Sequence, residues 1–334
     1  MEFMTENREL RADPRGLLAG ARTAIVVGLP YNRGDRLPRR GVSEPPRIAQ
    51  YARWRDYHKT LWRKGEQILT EVHERYGADA LGRVVVDSAP ILERALAARA
   101  GRGFIGKNTC FIDPDRGSLY LLGELLTTMP LPTAAAPTVD PTLRTEKGGC
   151  GSCKRCQVHC PTGALADDYR LDANLCLSYW TIEHRGTIPE RFWPWLKQYY
   201  FGCDLCQLAC PYNRGAAVAP ADATLKLEPA PDLFDVATMT APDYERLFGG
   251  TPMTRAKRAG LMRNALIAMY ESDHPRLGDA MRIAGELEPT GVVADTLKQI
   301  LCRWPKNSDS HARTESAASA TSSPERSTAE HPCH

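Results

Sequence analysis

Residues 148–165 read GGCGSCKRCQVHCPTGAL and place four cysteines, Cys150, Cys153, Cys156 and Cys160, within eleven positions, with Pro161 closing the run. The spacing C-x2-C-x2-C-x3-C-P is the bacterial ferredoxin run, in which three thiolates hold one 4Fe–4S cluster and the fourth reaches another. A disulfide knot is the poorer reading, because cysteines two residues apart close strained loops and no secretory signal precedes them. A zinc site asks for two cysteine pairs, not a triplet with a Cys-Pro tail. If the fourth thiolate serves a second cluster, a second run must follow.

It does, at residues 201–213, FGCDLCQLACPYN, where Cys203, Cys206 and Cys210 are spaced C-x2-C-x3-C-P. The leading cysteine is missing and Tyr200 holds its place, while a lone Cys176 lies between the runs in LDANLCLSYW. Four ligands per cluster then assign Cys150, Cys153, Cys156 and Cys210 to one and Cys160, Cys176, Cys203 and Cys206 to the other. Eight of the eleven cysteines are used. That leaves Cys110 and Cys302 to be read as small buried apolar residues and Cys333 as a tail thiol. Two clusters in one small module pass electrons singly, to or from a redox centre elsewhere.

A chain of 334 residues has room for about two or three domains. Apolar content of 43% with 25% charged residues is ordinary for a soluble globular protein. No apolar run approaches the roughly 20 residues that span a bilayer, and the N-terminus MEFMTENREL is no signal peptide. The expected compartment is the cytoplasm, where cluster thiolates stay reduced. The net charge of +3 decides nothing, but its distribution does: residues 33–64 hold ten Lys/Arg against three Asp/Glu, and residues 254–282 six against three. Two basic stretches flanking a redox core point to an anionic partner such as a nucleic acid.

The chain divides into four parts. TAIVVGLPY (23–31), RVVVDSAP (83–90) and SLYLLGELL (118–126) read as strands of an α/β domain over residues 1–142. A long amphipathic helix is expected over 46–76, with Tyr57, Leu61, Ile68, Leu69 and Val72 near one face, and a shorter one over 91–101. A Pro/Ala/Thr linker at 129–142 leads to the cluster module, residues 143–215. Residues 229–305 read as mostly helical, with TRAKRAGLMRNALIAMY the clearest helix. From 306 to 334 an apolar stripe is missing and a disordered tail is expected.

A cluster module behind an α/β domain implies a redox centre in that domain, at the strand ends where open α/β sheets place ligands. Asp87 closes the strand VVVDSAP, either as a site carboxylate or as a cap for the next helix. GRGFIGKNT (101–109) offers Lys107, Asn108 and Thr109 for a close backbone approach to a cofactor, or forms an ordinary glycine-rich turn. It is no nicotinamide fingerprint, since G-x-G-x-x-G after a strand is absent.

The motifs YARWRDYHK, VDSAPILERALAARAGRGFIGKNT, GELLTT, CGSCKRCQVHCPTGAL, LDANLCLSYWTIEHRGTIPE and FGCDLCQLACPYNR occur in this order. Together they resemble epoxyqueuosine reductases, cobalamin-dependent iron–sulfur enzymes that complete queuosine in tRNA, and the resemblance covers roughly residues 1–305. It implies base-off cobalamin in an α/β domain like that of reductive dehalogenases, two clusters beneath it, and a HEAT-like helical part that helps hold the anticodon arm. Family members carry a further helix and strand ahead of MEFM, so the start of this chain reads as truncated. The linker is longer, and the helical end shorter, than the family pattern.

By that resemblance Asp87 is the acid that protonates the leaving epoxide oxygen, either because corrin and substrate desolvate it and raise its pKa or because its proton is supplied in the complex. His58 contacts cofactor or substrate, unless it is only a helix-face histidine. DYHKTL lacks the glycine of the D-x-H-x-x-G cobalt-ligating signature. Lys107, Asn108 and Thr109 would bind corrin amides or the nucleotide tail, and Glu183 would face the cofactor from the cluster side unless it is structural. His159 and His184 are expected to be structural. Arg53, Arg55, Lys257 and Arg258 are the expected phosphate contacts. Tyr179, Trp180 or Tyr212 would offer a stacking surface if they are not core packing. The expected partners are a tRNA with a queuosine-type anticodon and a reduced ferredoxin or flavodoxin as electron donor, with the enzyme a monomer. Two other readings stand beside this one: a reductive dehalogenase-like enzyme acting on a small molecule, and a ferredoxin-like electron carrier without catalysis.

Overall fold

The computed structural model describes residues 6–39, 44–77, 80–87, 89–132, 149–166, 168–220 and 226–303. The expected tail at 306–334, most of the linker at 129–142 and the MEFM start lie outside them. A short helix, α1 (Arg8–Ala12), precedes strand β1 (Thr23–Pro30). Strand β2 (Arg47–Ile48) and helix α2 (Tyr57–Tyr76) follow, then β3 (Gly82–Val85) and helix α3 (Glu93–Arg99). Strands β4 (Phe104–Ile105) and β5 (Phe111–Ile112) form a small hairpin, and β6 (Tyr120–Thr127) is the centre of the main sheet.

The main sheet has the order β1-β6-β3, with β6 antiparallel to both neighbours from Thr23↔Thr127 to Pro30↔Tyr120 and from Gly82↔Thr127 to Val85↔Glu124. It is therefore not the open parallel sheet from which a strand-end site is usually argued. β1 and β3 still run the same way, because both oppose β6, and they end at the same edge. Helix α2 connects them across one face, burying Tyr57, Leu61 and Leu69 against Val84 and Leu125. The close approach depends on Gly65: a Cβ there would sit 2.7 Å from Leu125 Cδ2 and 2.9 Å from Val84 Cγ1.

The helix expected over 46–76 begins only at Tyr57. Two local choices cut it short. Arg47 and Ile48 pair in parallel with a later strand, and the Asp56 carboxylate caps α2 by accepting the His58 N–H at 3.0 Å. A side-chain oxygen at the N-cap satisfies a donor that the helix cannot. The strand expected over 83–90 is likewise shorter, because Asp87 at φ 29° leaves extended geometry.

The cysteine-rich part contains only short pieces: α4 (Arg155–Val158), α5 (Trp193–Leu196), β7 (Tyr199–Phe201, the partner of β2) and α6 (Leu205–Leu208). Helices α7 (Leu233–Ala237), α8 (Ala241–Phe248), α9 (Lys257–Glu271), α10 (Leu277–Leu287) and α11 (Gly291–Leu301) complete the described chain. No helix among the described residues is long and apolar enough to cross a membrane.

The largest core ignores the expected break between the cluster module and the helical end. Trp180, Phe192, Trp193, Tyr200 and Phe201 pack with Leu261, Leu266 and Ile300 in one cluster, and Ile48 and Ala52 join it. Each such side chain, once buried, contributes about 1.5–3 kcal/mol. At its centre Arg263, with no exposed surface, donates to the carbonyls of Trp180 (2.9 Å) and His184 (3.0 Å) and to the Asn264 side chain. Asn264 in turn donates to the carbonyls of Thr181 (2.8 Å) and Tyr200 (2.9 Å). These donors fix a π-helical turn at Tyr179–Glu183, whose carbonyls a regular α-helix would have bonded within itself. Burial lowers the Arg263 pKa to about 10, so it stays charged at neutral pH.

Candidate functional site

At the end of β3 the chain turns sharply, and the Asp87 carboxylate, 60% exposed, becomes a meeting point. The Tyr57 hydroxyl donates to Asp87 Oδ2 at 2.7 Å, and His58 Nε2 lies 3.3 Å from the same oxygen. His58 Nδ1 is 2.6 Å from Asp56 Oδ1, and its ring stacks on Tyr57 with centroids 4.2 Å apart. The first turn of α2 thus delivers two adjacent side chains to one carboxylate. A non-glycine residue at positive φ is uncommon and marks a position held by its surroundings. Asp87 does not cap the next helix, since α3 has Leu92 at its N-cap and no side-chain cap.

Within the protein itself the electrostatics favour the Asp87 carboxylate. The hydrogen bond from His58 holds the Asp87 carboxyl below its usual range, helped by Tyr57 and against the effect of burial. His58 is correspondingly raised, first by Asp87 and then, against desolvation, by Asp56. Both ring nitrogens of His58 face carboxylates, so neither is free to ligate a metal.

Glu183 lies on the π-helical turn, and its carboxylate takes two N–H groups of Arg255, Nε at 2.9 Å and Nη2 at 2.9 Å. Arg255 also helps to lower the Asp87 pKa, which brings Glu183, through Arg255, to the same site. In the sequence Tyr57 reads only as an apolar-face residue of the long helix and Arg255 only as part of a basic stretch, neither as a site residue. The first was legible as the neighbour of His58. The second carried no signal, because its partner is 72 positions away.

Lys107 and Asn108 face elsewhere. Lys107 is buried, with Nζ donating to the Gly151 carbonyl at 2.9 Å and paired with Asp168 at 3.3 Å; its backbone N–H donates to Cys150 Sγ at 3.4 Å. The β4–β5 hairpin turns this loop toward the first cysteine run, and the carbonyl of Thr109, at φ 61°, accepts from Arg94. Cys150, Cys153, Cys156 and Cys210 line one cavity together with Lys107, Asn108 and Tyr212. Burial pushes the Cys210 thiol up to about 12, and Cys150 and Cys156 add to the rise. Around Cys203, also raised by burial, the neighbouring thiols are Cys176 and Cys160. Among the described residues no three ligand side chains converge directly on one point; the thiols wall a space instead.

The remaining candidates sort by contact. Arg53 is held by Asp35 and the Ile48 carbonyl, and Arg258 by Glu288 and the Met239 carbonyl, so both are bound within the fold. Arg55, Lys59 and Arg63 line a groove with Asp56, Thr60 and Gly250, and Lys257 is exposed. Trp180 is buried and donates to the Asn174 carbonyl, and Tyr179 packs against it. Tyr212 donates to the Gly149 carbonyl. His159 and His184 bond to the backbone carbonyls of Arg155 and Thr187. Cys110 is half-buried; Cys302, expected to be buried, is exposed.

A double cysteine framework beside a Tyr–His–Asp proton site is the equipment of an iron–sulfur oxidoreductase. Residues 149–213 match the family described as 4Fe-4S double cluster binding domain, and residues 11–88 the family described as epoxyqueuosine reductase QueG, DUF1730. The epoxyqueuosine reductase of Burkholderia pseudomallei is 36% identical over 323 residues, which cover 90% of this chain and 75% of that protein. That of Escherichia coli is 35% identical over 273 residues, covering 80% and 69%. Among solved structures, epoxyqueuosine reductase from Streptococcus thermophilus superposes with a TM-score of 0.77 at 29% identity over 91% of this chain and 79% of that one. An epoxyqueuosine reductase bound to an epoxyqueuosine-modified tRNA-Tyr stem loop gives 0.72 at 28% identity, over 89% and 77%. The chain belongs to the epoxyqueuosine reductase family.

Proposed function

We propose that this chain reduces epoxyqueuosine to queuosine at the wobble position of tRNA, the last step of queuosine formation, with cobalamin and two 4Fe–4S clusters. The observation that carries the reading is the convergence of Tyr57 and His58 on Asp87 at a strand end, in a chain of this family. The tRNA stem loop bound by a relative supports RNA as the substrate. The domain reading follows: residues 1–142 hold cobalamin in a reductive-dehalogenase-like α/β domain, 143–215 the clusters, and 229–305 help hold the anticodon arm. The enzyme works in the cytoplasm as a monomer, fed by a reduced ferredoxin or flavodoxin.

Four thiols around one cavity support the first cluster, and the electrostatic influence of Cys176 and Cys160 on buried Cys203 supports the second. Cys150, Cys153, Cys156 and Cys210 would hold one cluster, and Cys160, Cys176, Cys203 and Cys206 the other. Loading them displaces thiol protons, whose loss burial otherwise opposes. For cobalamin, Asp87 and His58 at the strand end are the side chains that would face it, with His58 held by Asp56 and Asp87 and so available as a proton group. When bound, the corrin supplies the electrons that reduce the epoxide, and the clusters supply them one at a time.

The chain's own task is the proton. Converting an epoxide to an alkene consumes two electrons and two protons and releases the oxygen as water. An alkoxide leaves poorly, and a positioned acid accelerates its departure by about 10²–10⁴-fold. His58 holds one proton on Nε2, which Asp87 Oδ2 receives and passes to the substrate oxygen while Tyr57 keeps that carboxylate in place. The second proton, which completes the departing water, enters from solvent by the same His58–Asp87 route. Asp87, the most exposed of the three, is the group that reaches the substrate oxygen.

The experiment is metal analysis of protein reconstituted anaerobically with iron, sulfide and cobalamin and then desalted. About eight irons and one cobalt per chain are expected. Iron without cobalt would instead mark a cluster-bearing electron carrier.

A further inference from the structure

The Asn108 side chain is 4% exposed, and its Oδ1 accepts the Cys110 N–H at 3.2 Å. That bond fixes which way the amide is turned, leaving Nδ2 with two hydrogens and no acceptor among the described residues. A buried donor without a partner is costly and rare in native structures. The same side chain lines the cavity walled by Cys150, Cys153, Cys156 and Cys210, beside the Lys107 N–H that already points at Cys150 Sγ. An acceptor inside that cavity would satisfy it.

We propose that Asn108 donates a hydrogen bond to a sulfur of the cluster held in this cavity, and thereby sets that cluster's reduction potential above the value its thiolates alone would give. The inference rests on the cluster reading proposed above. Sulfur on an anionic cluster accepts N–H bonds, and reduction adds one negative charge, so the donor favours the reduced form. The cysteines fix which cluster binds; Asn108 acts on how readily it accepts its electron. Its place is with the cluster rather than with corrin amides, because the cavity that it lines carries four thiols. Asn108 is a positioning and tuning residue, and its effect is read as a potential.

The test is an EPR-monitored redox titration of the reconstituted full chain, comparing wild type with Asn108→Leu and Asn108→Asp. Both variants should retain their iron and sulfide. The cluster of Cys150, Cys153, Cys156 and Cys210 should shift to a more negative midpoint, further in Asn108→Asp, which sets a carboxylate against the cluster. The other cluster should not move. A tenfold loss of preference for the reduced form reads as about 59 mV for one electron. Unchanged midpoints in iron-replete variants, or equal shifts of both clusters, would overturn the proposal. Should either variant lose its iron, wild-type protein carrying 15N-asparagine decides: pulsed EPR of the reduced cluster should detect a side-chain amide nitrogen, and a spectrum without that coupling would refute the assignment. Wild-type protein that takes up no iron would overturn the cluster reading itself, a distinguishable outcome.

Discussion

Asp87 Oδ2 receives Tyr57 and His58 together, and the shifts of the acid and the histidine are two sides of that contact. The Asp87 contribution to stability is present above its unfolded value near 3.9 and is lost as pH falls through its depressed folded pKa. The His58 contribution is present below about 6.5 and is lost as pH rises through its raised folded pKa. Between those limits the pair is ionic and the proton is stored. Turnover should therefore fall on the alkaline side with the raised His58 pKa, and the kcat–pH profile of His58→Gln should lose that limb. An unchanged alkaline limb in the variant would assign the proton to another group. His58 and Asp87 were legible because each stands in a short motif, DYHK and VVVDSAP. The sign of the Asp87 shift was not legible, since it depends on which side chain reaches the carboxylate first. Lys107 and Asn108 looked like a cofactor cradle for the same reason: a glycine-rich loop advertises its flexibility, while the β4–β5 hairpin decides where it points.

Helix α2 presents polar side chains on two sides. Tyr57 and His58 turn inward from its first turn, while Lys59 and Arg63, one helical turn apart, stand exposed along the groove that begins at Arg55 and meets Gly250. The groove adjoins the Tyr57–His58–Asp87 cluster through Asp56, which lines it and binds His58. A phosphate there would lie beside the nucleotide undergoing reaction. Each phosphate contact adds about 0.7 to the slope of log affinity against log salt for single-stranded RNA. We predict, as a hypothesis, that Lys59→Glu with Arg63→Glu weakens tRNA binding and flattens that slope by about 1 to 2. Filter binding across a salt series measures both; slopes identical to wild type would put the RNA backbone elsewhere. The basic character of this stretch was legible in its charge count, but the choice of residues was not. Arg53 looked like a phosphate contact and is held by Asp35, and the helix itself begins later than its periodicity suggests because Asp56 caps it.

Across the whole molecule, the cysteine framework is built into the fold from both sides. The hairpin of the α/β part supplies Lys107 and Asn108 to one cavity, and α9 supplies Arg263 and Asn264 to the turn bearing Glu183. That turn holds Arg255, whose charge acts on Asp87. The cysteine spacing made the electron-transfer part readable at once, since metal ligation constrains sequence locally. The shared core and the Glu183–Arg255 pair were hidden because they join residues far apart in the chain. The central claim is that Asp87 delivers a proton during reductive removal of an epoxide oxygen from tRNA. Its most direct test is a single-turnover reaction of the loaded, reduced enzyme with epoxyqueuosine-containing tRNA, followed by mass analysis of the digested nucleosides. Wild type should convert epoxyqueuosine to queuosine, with loss of one oxygen. Asp87→Asn, with cobalt, iron and tRNA binding intact, should be slower by about 10²-fold or more. Conversion by Asp87→Asn at the wild-type rate, or no conversion by the loaded wild type, would contradict the account.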